Sequence, residues 1–302
     1  MSLEGDYFLD RRKLKRKLLS WRILAILSLA IVAISFFVDT KTLSSVEHIA
    51  RLKVSGIIVD DFDRELVLRD LKADDNVVAL IVRIDSPGGT VVGGQSLYNQ
   101  LKDLSEDKPV VAVMGSTATS AGYMVALGAD HVIAREGSLT GSIGVLLQTA
   151  DVTELLKRLG IKSEAIKSGS LKAQPNPLET TTPEARQAIK RVVMDMHSMF
   201  VDMVVERRKI PIDDARVLGD GRVYTGRQAL ANGLIDGIGS ETEALDWLTN
   251  KAKIPKGLLV KDVIIERTGH NWRALIGNIL GKLEFSDRLR LDGLISLWHP
   301  EL

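Results

Sequence analysis

The chain has no cysteine among its 302 residues. That excludes a disulfide scaffold, a thiol nucleophile and thiolate metal sites, and it fits an exported domain. Its five histidines (His48, His131, His197, His270 and His299) are scattered, with no HExxH or similar ligand spacing. No metal site is therefore expected. There is no P-loop, no GxSxG elbow around any serine, no internal repeat and no low-complexity tract. Charge of one sign is also lacking. The formal net charge is +1, so no global field argues for a nucleic-acid partner.

What is present is a globular composition, 45% hydrophobic and 26% charged, which suits one domain of about 200–250 residues with appendages. The charge is unevenly placed. Residues 1–22 carry Arg11, Arg12, Lys13, Lys15, Arg16, Lys17 and Arg22. Ile23 to Val38 then carry no charge. As a helix this run rises about 24 Å, close to a hydrocarbon core once Arg22 snorkels. The basic flank predicts a single-pass anchor with its N-terminus in the cytoplasm and the remainder outside. A cleaved signal peptide is the rival, with Ala33-Ile34-Ser35 as a small-x-small site, but the apolar run continues past it.

After a linker at 39–49 the pattern alternates. Strands are expected at Ala50–Val59, Asn76–Ile84, Pro109–Val113, His131–Ala134, Ile161–Ile166 and Leu258–Ile265. Helices are expected at Asp60–Asp75, Val91–Leu104, Ser120–Leu127, Val152–Leu159, Thr182–Arg208, Gly226–Asn232 and Ser240–Lys253. Asn76–Ile84 is almost wholly apolar and β-branched, as in a strand buried on both faces. Asp85-Ser86-Pro87-Gly88-Gly89 is expected as a turn, and Thr182-Pro183 as a helix start. Repeated β–α–β argues for an α/β fold with parallel strands, its catalytic loops at their carboxyl ends. The tail, 269–302, has helical spacing at Trp272, Leu275, Ile276, Ile279, Leu280 and Leu283. It is expected as an amphipathic helical extension that packs on its own domain, a neighbouring subunit or lipid.

One stretch organises the rest. Met114 to Tyr123 holds only small residues and hydroxyls between a strand and a helix. Ser120 at its end reads either as a helix N-cap or as a nucleophile beside unpaired amides. Lys172 taken alone reads as an exposed loop lysine, and His131 as a core histidine.

With DSPGG (85–89), MGSTATSAGYMVALGAD (114–130), LTGSIGV (139–145), IKSGSLK (166–172) and DGRVYTGRQALANGLID (220–236) in this order, the chain resembles the S49 family of serine peptidases, the signal peptide peptidase A group in its short form. The resemblance covers about residues 50–250. It implies a ClpP/crotonase-like fold over 50–268 and a Ser/Lys dyad without metal or cofactor. Ser120 matches the nucleophile, Lys172 the general base, and Ser142 a serine that orients the lysine. Gly88 and Gly89 match a turn giving an oxyanion-hole amide, with the second amide from Ala121. Many members have glycine where Ala121 stands. The resemblance further implies a homo-oligomer in which the lysine reaches a neighbour's serine. It implies a bacterial inner-membrane location, and substrates that are membrane-associated peptides, chiefly signal-peptide remnants. Lys167, five residues before Lys172, is expected at a strand end facing solvent. The rivals are a crotonase-type acyl-CoA enzyme, a non-catalytic membrane scaffold, and a ClpP-like enzyme of wider proteolytic scope.

Overall fold

The computed structural model describes residues 21–29, 46–265 and 295–297. The chain divides into two units, Met1–Val46 and Glu47–Leu302.

In the first unit, residues 21–29 form a helix, α1. Trp21, Ile23, Leu24, Ile26, Leu27 and Leu29 are exposed on it. The rest of the expected anchor, residues 30–38, lies outside the described residues, as does the basic segment before Trp21. No helix among the described residues is long and apolar enough to cross a membrane.

The second unit is an α/β structure around a mostly parallel sheet. Its strands are β1 (His48–Ile58), β2 (Val77–Thr90), β3 (Val110–Thr119), β4 (His131–Ala134), β5 (Leu139–Gly141), β6 (Val223–Thr225), β7 (Gly237–Ile238), β8 (Leu259–Asp262) and β9 (Ile295–Leu297). The main path runs β6-β5-β3-β2-β1-β8, with β4 and β7 branching from β3 and β9 from β2. All pairings are parallel except β5 with β6 and β2 with β9. The helices are α2 (Phe62–Ala73), α3 (Val91–Ser105), α4 (Ala121–Ala126), α5 (Thr153–Arg158), α6 (Pro183–Arg208), α7 (Ile212–Leu218), α8 (Gly226–Ala231) and α9 (Glu241–Asn250).

The apolar run of β2 is buried on both faces, as a central parallel strand requires. Leu80, Val82 and Ile84 enter one core cluster, with Met114 of β3 and Leu97 of α3. The alternate residues Ala79 and Ile81 enter a second, with Val111, Val113 and Ala244 of α9. Each fully buried aliphatic side chain contributes about 1.5–3 kcal/mol, so this strand fixes the register of its neighbours. Thr182 caps α6 by accepting from the Ala185 N–H, with Pro183 in the first turn as expected.

Four expectations are corrected. DSPGG is not a turn: β2 runs through it to Thr90, with a register irregularity where Ser55–Ile57 of β1 pass it. Met114–Thr119 likewise continues β3 rather than forming a loop. Ile161–Ile166 forms no strand, because no other strand lies alongside to take its ladder, and Ile166 is 99% exposed. Ile295–Leu297, expected in a helical tail, is a strand. The remainder of that tail lies outside the described residues.

Candidate active site

Two parallel strands, β2 and β3, end side by side, with Ser86 opposite Ala118. Beyond this point they diverge. β3 stops at Thr119, and the chain turns sharply at Ser120 into α4. Ser120 has φ 56° and ψ −119°. That combination is rare for any residue with a Cβ and costs about 1–3 kcal/mol. It is the strained strand-to-helix turn by which a hydrolase serine is raised at the end of a sheet, reached here without the GxSxG signature. The Ser120 side chain does not cap α4. The competition between cap and nucleophile therefore falls against the cap.

The turn is held from three sides. The Ser120 N–H donates to Gly141 O of β5 at 2.8 Å, and the Met124 N–H to Ser120 O at 2.9 Å. Thr119 Oγ1 donates to Pro87 O at 3.0 Å. Ser120 is 1% exposed, and Ala121, Gly122 and Tyr123 beside it are buried. Ala121 opens α4, so its N–H has no carbonyl one turn earlier within the helix and is directed toward the serine end.

The glycine strand lies alongside. Ser86 Oγ donates to Gly56 O at 2.6 Å and accepts from the Gly88 N–H at 3.1 Å. Gly88 has φ 119°, a conformation that side-chain-bearing residues rarely adopt. Gly89 is required by space: a Cβ there would stand 1.8 Å from Ile58 O.

Ser142 also has positive φ, 50°, and its N–H donates to Arg222 O at 2.8 Å. It is 7% exposed and shares a cavity of about 330 Å³ with Ser120. Ile143, Val193, Met194 and His197 are among the other walls. His197 was not singled out from sequence. Its Nε2 lies 2.7 Å from Gly219 O, and its only sequence signal is its position one turn after Val193 on α6.

The structure brings Ser120, Ala121 and Ser142 together beside Gly88 and Gly89. Lys172 is not brought to them. It is exposed, in a turn closed by its own N–H to Gly169 O at 3.1 Å. Among the described residues no hydrogen bond or ion pair reaches its ammonium. Lys167, expected to face solvent, is instead ion-paired with Glu179, which also accepts from Gln174 Nε2 at 2.6 Å. The Lys167 hydrogen bond holds the Glu179 carboxyl below its ordinary range. Lys167 is thus a structural lysine of this segment. His131 belongs to the core elsewhere: it stacks on Trp247 with centroids 4.8 Å apart, and burial pulls its imidazole below its ordinary range. Among the described residues no group of three or more His, Asp or Glu side chains is placed to hold a metal ion.

Comparison with known proteins agrees with this site. The sequence profile of Peptidase family S49 matches residues 102–255. A Synechocystis sp. protein named as a protease is 37% identical over 223 residues, covering 73% of this chain and 80% of that one. An Enterococcus faecium protein named as a signal peptide peptidase is 31% identical over 232 residues, 72% of this chain and 67% of that one. The chloroplastic serine protease SPPA of Arabidopsis thaliana is 32% identical over 245 residues, 80% of this chain but 35% of the longer relative. Carrying a strained serine at a strand end and matching the family profile over half its length, the chain belongs to the S49 family of serine peptidases.

Proposed function

We propose that this protein is a membrane-anchored endopeptidase in which Ser120 and Lys172 form a catalytic dyad, with the lysine supplied by a neighbouring copy of the chain. The observation that carries the nucleophile is the Ser120 turn, φ 56° and ψ −119°, at the end of β3 and the start of α4. Ser120 Oγ would attack the substrate carbonyl and pass its proton to the Lys172 amine. The developing oxyanion would be met by the amides of Ala121 and Gly89, which need no reorganisation at that moment. The amine leaving group takes the proton from the lysine, and water then hydrolyses the acyl-enzyme.

A lysine in water holds its proton at neutral pH, and only burial favours the neutral amine. Lys172 is exposed in the single chain, so a base at this position requires a partner surface. Apolar side chains around it support one: Leu155, Leu159, Ile161, Ile166, Leu171 and Leu178 are all exposed.

Substrates of medium apolar side chain suit the cavity beside Ser120, with Val193 and Met194 in its wall. Signal-peptide remnants and other membrane-associated peptides have that chemistry. A bacterial inner-membrane anchor at residues 23–38 would concentrate the site near them. The family resemblance adds a ClpP/crotonase-like fold for 50–268, and the mostly parallel sheet is compatible with it.

The test is covalent labelling. A fluorophosphonate followed by peptide mapping should place one adduct on Ser120, and Ser120→Ala should lose both the adduct and cleavage of an apolar peptide. An adduct elsewhere, or cleavage by the alanine variant, would remove Ser120 from the mechanism.

A further inference from the structure

The carboxyl end of β2 has a second neighbour that the family's serine and lysine do not explain. On one side of Gly88 and Gly89 lies β1, with Ile57 and Ile58 opposite them. A strand has two edges, so β9 must lie on the other. There Gly88 stands opposite Leu297, Gly89 opposite Ser296 and Thr90 opposite Ile295, antiparallel. This is the edge on which β3 pairs one step earlier, through Ser86 and Ala118, before turning away at Ser120. The strand from the far end of the chain thus fills the position that β3 vacates, beside the nucleophile turn.

That position is where an extended peptide would have to lie to place a carbonyl between Ser120 Oγ and the Gly89 amide. Peptides bound to a sheet edge gain main-chain hydrogen bonds that are indifferent to side chains, and pockets beside the edge supply selection. The occupant also has substrate chemistry. Leu294-Ile295-Ser296-Leu297 is uncharged, apolar and partly β-branched. Its tether to the same domain gives it a high local concentration.

We propose that the Gly88–Thr90 edge of β2 is the acceptor strand for the substrate main chain, bound antiparallel, and that Ile295–Leu297 is its built-in competitor. This rests on the peptidase reading of Ser120. A tail that closes the edge in a fraction of molecules raises the apparent KM by the inverse of the open fraction and leaves kcat unchanged. If one molecule in ten is open, the factor is about tenfold.

The experiment uses the full chain. Ser296→Pro disfavours the β9 ladder, since proline lacks the N–H and is poorly tolerated inside a strand. With a fluorogenic apolar peptide, the variant should show a KM lowered several-fold at unchanged kcat. A synthetic peptide of sequence LDGLISLWHPEL should inhibit competitively, and more strongly against Ser296→Pro than against the unaltered chain. A small fluorophosphonate, too short to pair with the edge, should label Ser120 at the same rate in both. An unchanged KM, a fall in kcat, or slower labelling in the variant would mean that β9 completes the site rather than blocking it, and would overturn the proposal. Absence of labelling in the unaltered chain would instead fail the nucleophile assignment. Hydrogen exchange on the unaltered protein decides independently of any variant. Occupation of the site by a peptide boronate should deprotect residues 295–297, and persistent protection there counts against competition.

Discussion

Thr119 Oγ1 donates to Pro87 O at 3.0 Å, joining the residue before the nucleophile to the residue before the oxyanion glycines. The bond spans two strands that have already begun to part, and Thr119 is fully buried. It sets the distance between the attacking oxygen and the amide that must hold the oxyanion.

Thr119→Val keeps the shape and removes the donor. Pro87 O is then left unpaired in a part-buried site, which costs about 1–3 kcal/mol. The expected outcome is a kcat reduced by about tenfold, equivalent to ~1.4 kcal/mol of transition-state stabilisation, with KM little changed. Thr119→Ser should restore most of it. Equal KM and kcat losses in both variants would point to general loosening rather than to spacing of the two strands.

The strain at Ser120 gives a stability prediction opposite in sign to the usual one. Glycine normally destabilises relative to alanine by about 0.5–1 kcal/mol. At φ 56° alanine carries the steric penalty of its Cβ and glycine does not. Ser120→Gly should therefore be more stable than Ser120→Ala by about 1 kcal/mol, although both are inactive. For a domain of this size that is a difference of about 2–4 °C in Tm. Comparing two variants that both lack Oγ isolates the backbone term. An alanine variant as stable as the glycine one would contradict the strained turn.

Asp262 ties the edge strand β8 to β1. It accepts from Arg51 Nε at 2.5 Å and Lys53 Nζ at 2.7 Å, and these bonds lower its carboxyl to about 2 from an ordinary 3.8. A depressed carboxylate contributes stability above its unfolded value and loses it as pH falls through the folded one. The contribution should therefore be complete above about pH 4–5 and fade toward pH 2. Both groups are well exposed, so the effect is small and salt-sensitive. Asp262→Asn should flatten this acid limb in thermal melts between pH 4 and 2 while leaving the neutral-pH activity intact. An acid limb unchanged by the substitution would assign it to other carboxylates.

These features differ in how far the sequence shows them. The buried strand at Val77–Ile84 and the capped start of α6 follow from local rules, and the structure has both. DSPGG carries every local sign of a turn, yet β1 on one edge and β9 on the other hold it extended. Neither neighbour is visible from the segment itself. Ile161–Ile166 shows the reverse, a strand-like composition with no strand to pair with. Ser120 was identifiable as a residue, since small residues between a strand and a helix mark the corner. Its positive φ was not, because alanine rather than glycine follows it and no glycine precedes it within four residues. The cavity wall from α6 was missed because Val193, Met194 and His197 come from a helix more than 70 residues after the serine. β9 was missed because an apolar tail at helical spacing outweighed a three-residue strand.

The separation of Ser120 from Lys172 in one chain leads to the most discriminating test of the dyad. Ser120 is 1% exposed on the sheet, whereas Lys172 sits in an exposed turn without a bonded partner among the described residues. If the lysine acts on a neighbouring chain, Ser120→Ala and Lys172→Ala are each inactive alone but complementary together. A site in a mixed assembly works when its serine comes from the lysine variant and its base from the serine variant. With head-to-tail contacts and random equal mixing, about a quarter of sites meet both conditions. Co-refolded or co-expressed chains should therefore recover roughly a quarter of the activity of the unaltered protein, measured by peptide cleavage and by fluorophosphonate labelling of the Lys172→Ala chain. Lys167→Ala, which breaks only the Glu179 contact, should retain Ser120 labelling and need no complementation. If mixing restores nothing while the unaltered protein is active, the base must come from the same chain. The segment from Gly144 to Thr182 would then have to fold back by a large motion to bring Lys172 to the serine.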